Sequence, residues 1–366
     1  MQAILPVTAR TCWRPSSRPG RRPATRLHAL PQRPRVSAFA ADVAVAEEEA
    51  ATAPAEVAPA DLPPLAIPII PAAGWLAPET NGAPPPALAD ALMAAATEYG
   101  MFQIVDHGVS LKLLANLRTA QRAFFSLPLA KKMAVHRTVL NPHGYFNADF
   151  LQKPLDHLEG FDFGSEALPA EGATSVSVLS APNQWPEGEE GFRAACEAYF
   201  DECTRASFKL LAALSAGLGL APTALHPLFE ASNASPGHTS FLRLNHFPTA
   251  SAKHDGVANH GHTDPGFLTI LIQDSAQPHG GLQVLTNDVL RAPAHRVLSP
   301  AKQPRFSAPY HFSPARQAVI EPLPQFTSAD RPPVYQPIPW ELFRAQRYAG
   351  DFQGQRNRGG VHQYKV

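Results

Sequence analysis

The feature that most constrains this chain is a 48-residue stretch, His260 to Ser307, in which two imidazoles, a carboxylate, a guanidinium and a hydroxyl stand out: those of His262, His295, Asp264, Arg305 and Ser307. His262 and Asp264 are two residues apart, so both side chains point to the same side of an extended segment. Two histidines and one carboxylate are the ligand set that holds divalent iron on one face and leaves the other face open. The stretch therefore predicts neighbouring strands that bring a third ligand, His295, beside the first two.

Two residues that follow His295 at a short interval favour it as the third ligand. Arg305 offers a planar fork of donors that suits a carboxylate, and Ser307 faces the same way two residues later. Without these neighbours, the earlier histidine and aspartate would more often form a turn capped by the aspartate. An arginine alone would more often be a surface cation.

Composition narrows the class of protein. The 366 residues are 45% hydrophobic, which is enough to fill the core of one enzyme-sized domain or two small ones. The formal net charge is zero and the pI is about 7.3, so no global field attracts nucleic acid or an anionic membrane. Three cysteines form neither a disulfide framework nor a thiolate metal cluster, which indicates a reducing compartment. The sequence contains no run of about 18 apolar residues, so it predicts no membrane span.

The first 64 residues differ from the rest. Residues 1–41 contain eight Arg and no Lys, Asp or Glu, a pattern typical of an organelle transit peptide. We expect the protein to be targeted to the chloroplast, and the alternative locations are the mitochondrion and the cytoplasm. If the segment is not a targeting signal, it is a basic tail that is never cleaved. Residues 42–64 are rich in Ala, Pro and Glu and predict a disordered linker.

Hydrophobic spacing predicts helices in the first half of the folded region and strands in the second. Helices are expected over 87–99, 110–125, from 128, over 188–220 and over 340–348, and short strands near 65–70, 101–105, 159–162 and 240–245. This order favours one α+β unit, with an N-terminal region at 65–235, a β core at 236–352 and a tail at 353–366.

Several motifs occur in an order typical of one family. They are Phe102-Gln-Ile-Val-Asp106-His107-Gly108-Val109, Asn141-Pro-His-Gly144-Tyr145, Glu159-Gly-Phe-Asp162-Phe, Asn183-Gln-Trp185-Pro186 and Leu242-Arg243-Leu-Asn245-His246-Phe247-Pro248. With the metal motif, they cover residues 65 to 352. The chain resembles the plant-type, isopenicillin N synthase-like dioxygenases that depend on iron(II) and 2-oxoglutarate.

The resemblance implies a distorted double-stranded β-helix, a cupin-like jelly roll, behind an N-terminal helical region. His262, Asp264 and His295 would be the catalytic iron ligands. Arg305 and Ser307 would hold the distal carboxylate of the cosubstrate 2-oxoglutarate, and Asn245 would line its pocket. The expected partners are dioxygen and a small organic molecule that is hydroxylated or desaturated. No nucleic-acid or membrane partner is expected, and the protein is expected to be a monomer.

One departure from the family pattern affects the core. Asp264 and His295 are 31 residues apart, whereas family members have roughly fifty or more between these positions. The shortfall predicts that about two core strands are missing after Leu285, which would leave a sheet edge unpaired. Because the strand of His262 pairs directly with the strand of His295 in this topology, the metal site could still assemble.

Two single residues also depart from the pattern. Phe247 stands where many members carry a tyrosine, so one hydrogen bond to 2-oxoglutarate, typically about 1 kcal/mol, is expected to be absent. His311 stands where an aromatic is usual, and it would be a replacement ligand if His295 were displaced.

Two other functions fit the same residues. The shortened core also predicts a catalytically impaired relative that acts as a binding module. An enzyme that uses iron without 2-oxoglutarate is a third hypothesis, and Arg305 and Ser307 argue against it.

Overall fold

The computed structural model describes residues 67–147, 158–165, 179, 181–230, 237–249, 257–264, 266–272, 285–290, 292–293, 295–298, 300, 303–352 and 360–366. All of them belong to one compact unit, Pro64–Val366. The predicted transit peptide and linker lie outside the described residues, as do all residues between Ile272 and Leu285. These expectations therefore stay predictions.

The predicted helices are confirmed within a few residues at each end. They are α1 (Pro86–Glu98), α2 (Leu111–Phe125), α3 (Leu129–Met133), α4 (Glu190–Gly217) and α5 (Trp340–Phe352). Ser110 caps α2, because its hydroxyl accepts the backbone N–H of Leu113 at 3.5 Å. No helix in the described ranges is both long enough and apolar enough to cross a bilayer.

The described strands are β1 (Ile69–Pro71), β2 (Gln103–Val105), β3 (Gly144–Asn147), β4 (Glu159–Gly164), β5 (Phe241–Phe247), β6 (Val257–His262), β7 (Leu268–Ile272), β8 (His295–Leu298), β9 (Arg305–Phe312), β10 (Val319–Ile320) and β11 (Ile338–Pro339). Five form an antiparallel sheet in the order β3-β4-β5-β9-β7. A second, two-stranded sheet pairs β6 with β8. Strands β1 and β2 pair in parallel, and β10 pairs with β11.

The two faces of the five-stranded sheet have different roles because side chains alternate along each strand. Leu242 and Leu244 point to the helical side and join the hydrophobic core. On β9 the hydroxyl of Tyr310 lies 2.7 Å from the Thr204 hydroxyl of α4. The opposite face, which we call the site face, carries the odd-numbered residues of β5 and β9. It includes the predicted cosubstrate residues.

A buried side chain of α2 holds the two central strands together. The Gln121 amide donates to the carbonyl of Asn245 at 3.0 Å and to the carbonyl of Ser307 at 2.9 Å. In the ladder Asn245 lies opposite Ser307, so this amide bridges both strands at the level of that pair. The helical layer thereby sets the alignment of the strands that carry the predicted cosubstrate residues.

The turn at Leu285–Leu290 stands where the sequence predicts a shortened core. Its described residues form a turn, and the Thr286 hydroxyl accepts the N–H of Leu290 at 3.0 Å. The Asn287 side chain donates to the carbonyls of Phe326 and Pro332 at 3.3 and 3.1 Å. Contacts with the segment before α5 therefore anchor this turn, which ends shortly before the strand that begins at His295.

One buried and one half-buried histidine predict acid sensitivity of the fold. Burial lowers the pKa of His143 to about 4, although nearby Asp162 opposes the shift, and burial lowers the pKa of His238 to about 4 as well. An unfolded histidine has a pKa near 6.5, so the unfolded chain binds more protons between pH 6.5 and 4. Each histidine therefore contributes stability that is fully present above about pH 6.5 and is lost as the pH falls, up to about 3 kcal/mol.

Urea unfolding at pH 7.5, 6 and 5 measures this loss. His238 lies among the rings of Phe200, Phe208 and Phe312, so His238→Phe keeps an aromatic ring in an aromatic site. We expect the variant to show a shallower pH dependence of the free energy of unfolding than the parent chain. The same slope in both proteins would contradict the assignment.

Candidate metal centre

The predicted metal residues lie at a corner where the chain passes from the small sheet to the large one. Strand β6 ends at His262 and β7 begins at Leu268, so Asp264 stands in the short connection between them. A side chain at Gly266 would meet the carbonyl of Phe312 at 3.0 Å, tighter than most Cβ contacts. The glycine thus lets the connection run close against the end of β9.

The structure brings the three predicted ligands together. His262 lies directly opposite His295 in the β6–β8 ladder, and the two ring centroids are 4.1 Å apart. Asp264 Oδ1 is 3.7 Å from Nε2 of His262 and 3.7 Å from Nε2 of His295. One donor atom from each residue can be chosen so that all three lie within 4.8 Å of one another. The expected pairing of the two histidine strands is confirmed.

The surroundings of His295 prepare its Nε2 for a metal. Its Nδ1 donates to the carbonyl of Pro293 at 3.3 Å, which leaves the lone pair on Nε2, as is usual for metal-binding histidines. Burial lowers the pKa of His295, and the neighbouring His262 lowers it further, while Asp264 partly opposes the shift. The imidazole is therefore neutral at neutral pH, the form that binds metal.

Asp264 is buried and ionised. Burial by itself would raise its pKa, but the adjacent His311, His295 and His262 and a hydrogen bond from Thr269 together bring the pKa below its ordinary value. The carboxylate is thus anionic at neutral pH within a largely enclosed site. A buried anion with two imidazole nitrogens on one side is an arrangement that a divalent cation stabilises.

The other oxygen of Asp264 has its own partners. Thr269 donates to Oδ2 at 2.7 Å, and Nδ1 of His311 lies 3.9 Å from the same oxygen. The sequence predicts His311 as a replacement ligand for a displaced His295. The structure instead keeps His295 with the metal donors and places His311 behind the carboxylate.

The predicted cosubstrate residues lie in register on the site face. Asn245 is opposite Ser307, and Phe247 is opposite Arg305. The Asn245 amide donates to the Ser307 hydroxyl oxygen at 3.2 Å. The Arg305 guanidinium lies 4.6 Å from the centroid of the Phe247 ring, a cation–π distance. The phenylalanine that replaces the usual tyrosine therefore supports the arginine by contact with its ring.

The chain is similar in sequence to known oxygenases. Residues 67–188 match the family described as non-haem dioxygenase in morphine synthesis N-terminal. Jasmonate-induced oxygenase 4 of Arabidopsis thaliana is 27% identical, over 69% of this chain and 75% of that protein. The 2-oxoglutarate-Fe(II) type oxidoreductase ppzD of Metarhizium rileyi is also 27% identical, over 69% of this chain and 83% of that protein.

These matches support the family of iron(II)- and 2-oxoglutarate-dependent dioxygenases for this chain. Its fold matches the solved structure of a dioxygenase for auxin oxidation in rice, with a TM-score of 0.59 and 21% identity over 82% of this chain and 100% of that one. The sheets described above thus correspond to the predicted jelly roll. Iron(II) and 2-oxoglutarate are the metal and the cosubstrate of its family.

The donor set of the dioxygenase fits iron(II). Ligand atoms about 2.1 Å from one metal ion lie about 3 Å apart when they occupy adjacent positions. The two 3.7 Å separations from Asp264 Oδ1 exceed that value by less than about 1 Å, within reach of side-chain rotation alone. Two neutral imidazoles and one carboxylate are also the donors that non-haem iron oxygenases use.

Sequence reasoning missed two residues of the dioxygenase site. One is Gln121, although a polar residue inside the apolar stripe of α2 is a usable signal of a buried hydrogen bond. The other is Thr269, which looks like an ordinary strand residue in the sequence. Its only sequence signal is its position five residues after Asp264, which gives no direction for its hydroxyl.

Proposed function

We propose that this dioxygenase hydroxylates or desaturates a small organic molecule, with iron(II) held by His262, Asp264 and His295. The observation that carries the proposal is the meeting of these three donors, from two strands and their connection, around one point. Only these three donors meet there among the described residues. A metal there would keep the opposite positions for cosubstrate and dioxygen.

Two of the three predicted ligands need no change of protonation to bind a metal at neutral pH. Asp264 is already anionic, and His295 already presents a neutral Nε2. When bound, iron(II) and 2-oxoglutarate supply the oxidising chemistry, and the protein supplies placement.

Arg305 and Ser307 would hold the distal carboxylate of 2-oxoglutarate. The guanidinium can donate two parallel hydrogen bonds to a carboxylate. Ser307 accepts a hydrogen bond from Asn245, which leaves its own proton to be donated to the same carboxylate. Both side chains stand on the site face of β9, two residues apart.

A second candidate function is that of a catalytically impaired relative that acts as a binding module. Its supporting observation is the end position of β7, beyond which the described residues supply no further strand to the five-stranded sheet. This position agrees with the proposal that about two core strands are missing after Leu285. An incomplete barrel would admit water and loosen the donors, and a loosening of about 1 Å already impairs a catalytic site.

Anaerobic titration of the full chain separates the two candidates. We expect iron(II) and 2-oxoglutarate together to produce a saturable visible charge-transfer band, because 2-oxoglutarate chelates the metal. Arg305→Gln is expected to weaken 2-oxoglutarate binding roughly 10- to 100-fold through loss of a charge-assisted bidentate contact. Arg193→Gln, which changes an exposed arginine of α4, is the matched control and should leave the titration unchanged.

The outcomes point in different directions. A band in the parent chain that is absent in His295→Ala supports the dioxygenase. A folded parent chain without a band supports the impaired relative. A band that Arg305→Gln leaves unchanged would exclude the proposed carboxylate site, because 2-oxoglutarate would then bind equally well without the guanidinium.

A further inference from the structure

A row of three side chains crosses the site face behind the metal donors. His311 on β9 lies directly opposite Thr269 on β7 and directly opposite Phe241 on β5. Its imidazole stacks on the Phe241 ring with a centroid distance of 4.5 Å and an interplanar angle of 18°. The stack sets the plane of the imidazole. Nδ1 is then 3.3 Å from the Thr269 hydroxyl oxygen.

The proton of the Thr269 hydroxyl determines the direction of these hydrogen bonds. A hydroxyl has one proton to donate and lone pairs to accept. Thr269 donates that proton to Asp264 Oδ2, since an ionised carboxylate can only accept. In the contact with His311 the imidazole must therefore be the donor, and its Nδ1–H donates to the hydroxyl oxygen of Thr269. The buried ring is thus assigned the Nδ1–H tautomer.

We propose that His311 and Thr269 form a hydrogen-bond relay that positions Asp264 for one-oxygen coordination of the metal. The relay engages Oδ2, while Oδ1 faces both metal-binding histidines at 3.7 Å. A carboxylate held in this way cannot turn to offer both oxygens to the metal. Thr269 and His311 are positioning residues, since neither contributes a donor to the metal set.

The relay matters because coordination positions are scarce. A carboxylate that binds through both oxygens takes a position that the cosubstrate or dioxygen needs. The inference rests on the proposed function, because it assumes the metal at His262, Asp264 and His295. It adds a reason for the histidine in place of the usual aromatic at 311, where a phenylalanine could stack on Phe241 but could not donate to Thr269.

Cobalt(II) titration of the full chain tests the relay without turnover. Thr269→Val removes the hydroxyl and keeps the shape, and we expect the dissociation constant for cobalt(II) to rise about 10- to 100-fold, the usual effect of losing an outer partner of a ligand. Thr269→Ser is expected to restore it to within about threefold, since the serine hydroxyl can make the same bond. The visible cobalt band should lose intensity in Thr269→Val, as it does when the coordination number increases.

Thr204→Val is the matched control, because it removes a hydroxyl that contacts Tyr310 on the helical side of the sheet. Cobalt(II) affinity and spectrum should not change in it. Unchanged binding and spectrum in Thr269→Val would overturn the relay, and so would an equal loss in both valine variants. Failure of the parent chain to bind cobalt(II) would instead contradict the proposed metal site.

His311→Phe gives an independent measurement. It keeps the stack on Phe241 and removes the Nδ1 donor, so we expect a smaller rise of the cobalt(II) dissociation constant than in Thr269→Val. In the metal-free parent chain, the ¹⁵N imidazole signals that His311→Phe removes should be those of the Nδ1–H tautomer. Signals of an Nε2–H tautomer would overturn the direction of the relay.

Discussion

Asp264→Ala is expected to lower 2-oxoglutarate turnover at least about 1,000-fold. This exceeds the roughly 10- to 100-fold loss that follows removal of a residue that only hydrogen-bonds to a metal ligand. Asp264 is the anionic member of the three donors, and its Oδ1 is the atom that both histidines share as a neighbour. Without it, two imidazoles remain, and a divalent cation has lost its charge partner. Succinate release at saturating iron(II) and 2-oxoglutarate measures the effect.

A binding measurement distinguishes loss of the metal from loss of the fold. In the parent chain, manganese(II) at about 100 times its dissociation constant should raise the free energy of unfolding by about 2.7 kcal/mol. In Asp264→Ala this rise should vanish. The rise is measured for each protein against its own metal-free unfolding curve, so any difference in stability between the metal-free forms does not affect the comparison.

Asp90→Ala is the control for this experiment, since Asp90 is exposed on α1. It should retain both succinate release and stabilisation by manganese(II). Retention of either property in Asp264→Ala would refute the role assigned to this carboxylate.

Asp162→Asn is expected to lower the free energy of unfolding by about 3–5 kcal/mol, the usual cost of removing one charged partner from a buried ion pair. Asp162 on β4 accepts from Arg137 at 3.0 Å and from two nitrogens of Arg243 at 2.7 and 2.8 Å. The Arg137 side chain is 1% exposed, so water cannot replace the lost charge. The Phe146 ring, 4.1 Å from the Arg137 guanidinium, adds only a cation–π contact.

Urea unfolding at pH 7.5 measures this effect, and an exposed ion pair supplies the control. Arg193 and Glu197 pair one helical turn apart on α4 with roughly half-exposed side chains. Glu197→Gln should therefore change the free energy of unfolding by less than about 1 kcal/mol. If the two variants lost similar stability, the buried network around Asp162 would not have the importance inferred for it.

The helices and the metal motif could be predicted because each depends on residues close together in sequence. The apolar stripe of α1 and the Ser110 cap of α2 are set by spacings of three or four residues. The common direction of His262 and Asp264 follows from the alternation of an extended segment. His295 lies 31 residues after Asp264, and its choice as their partner depended on Arg305 and Ser307, which follow it at a short interval.

The remaining parts of the site join residues whose meeting no local pattern encodes. Gln121 reaches carbonyls 124 and 186 residues away, and its partners are backbone atoms that every residue carries. The network of Asp162 connects a loop to two strands over 25 and 81 residues. Such contacts arise only after loop closure and packing have placed the strands.

The sequence by itself determined the chemistry of this protein, since the types, order and short spacings of its side chains specify which donors exist and which side of a strand they occupy. Tertiary structure alone decided how those donors are held. The order β5-β9-β7 places Phe241, His311 and Thr269 in one row. Thr269 in that row donates to Oδ2 of Asp264, while Oδ1 faces His262 and His295. The physical reason is that a hydrogen bond depends on distances of a few tenths of an ångström, which strand register and packing set.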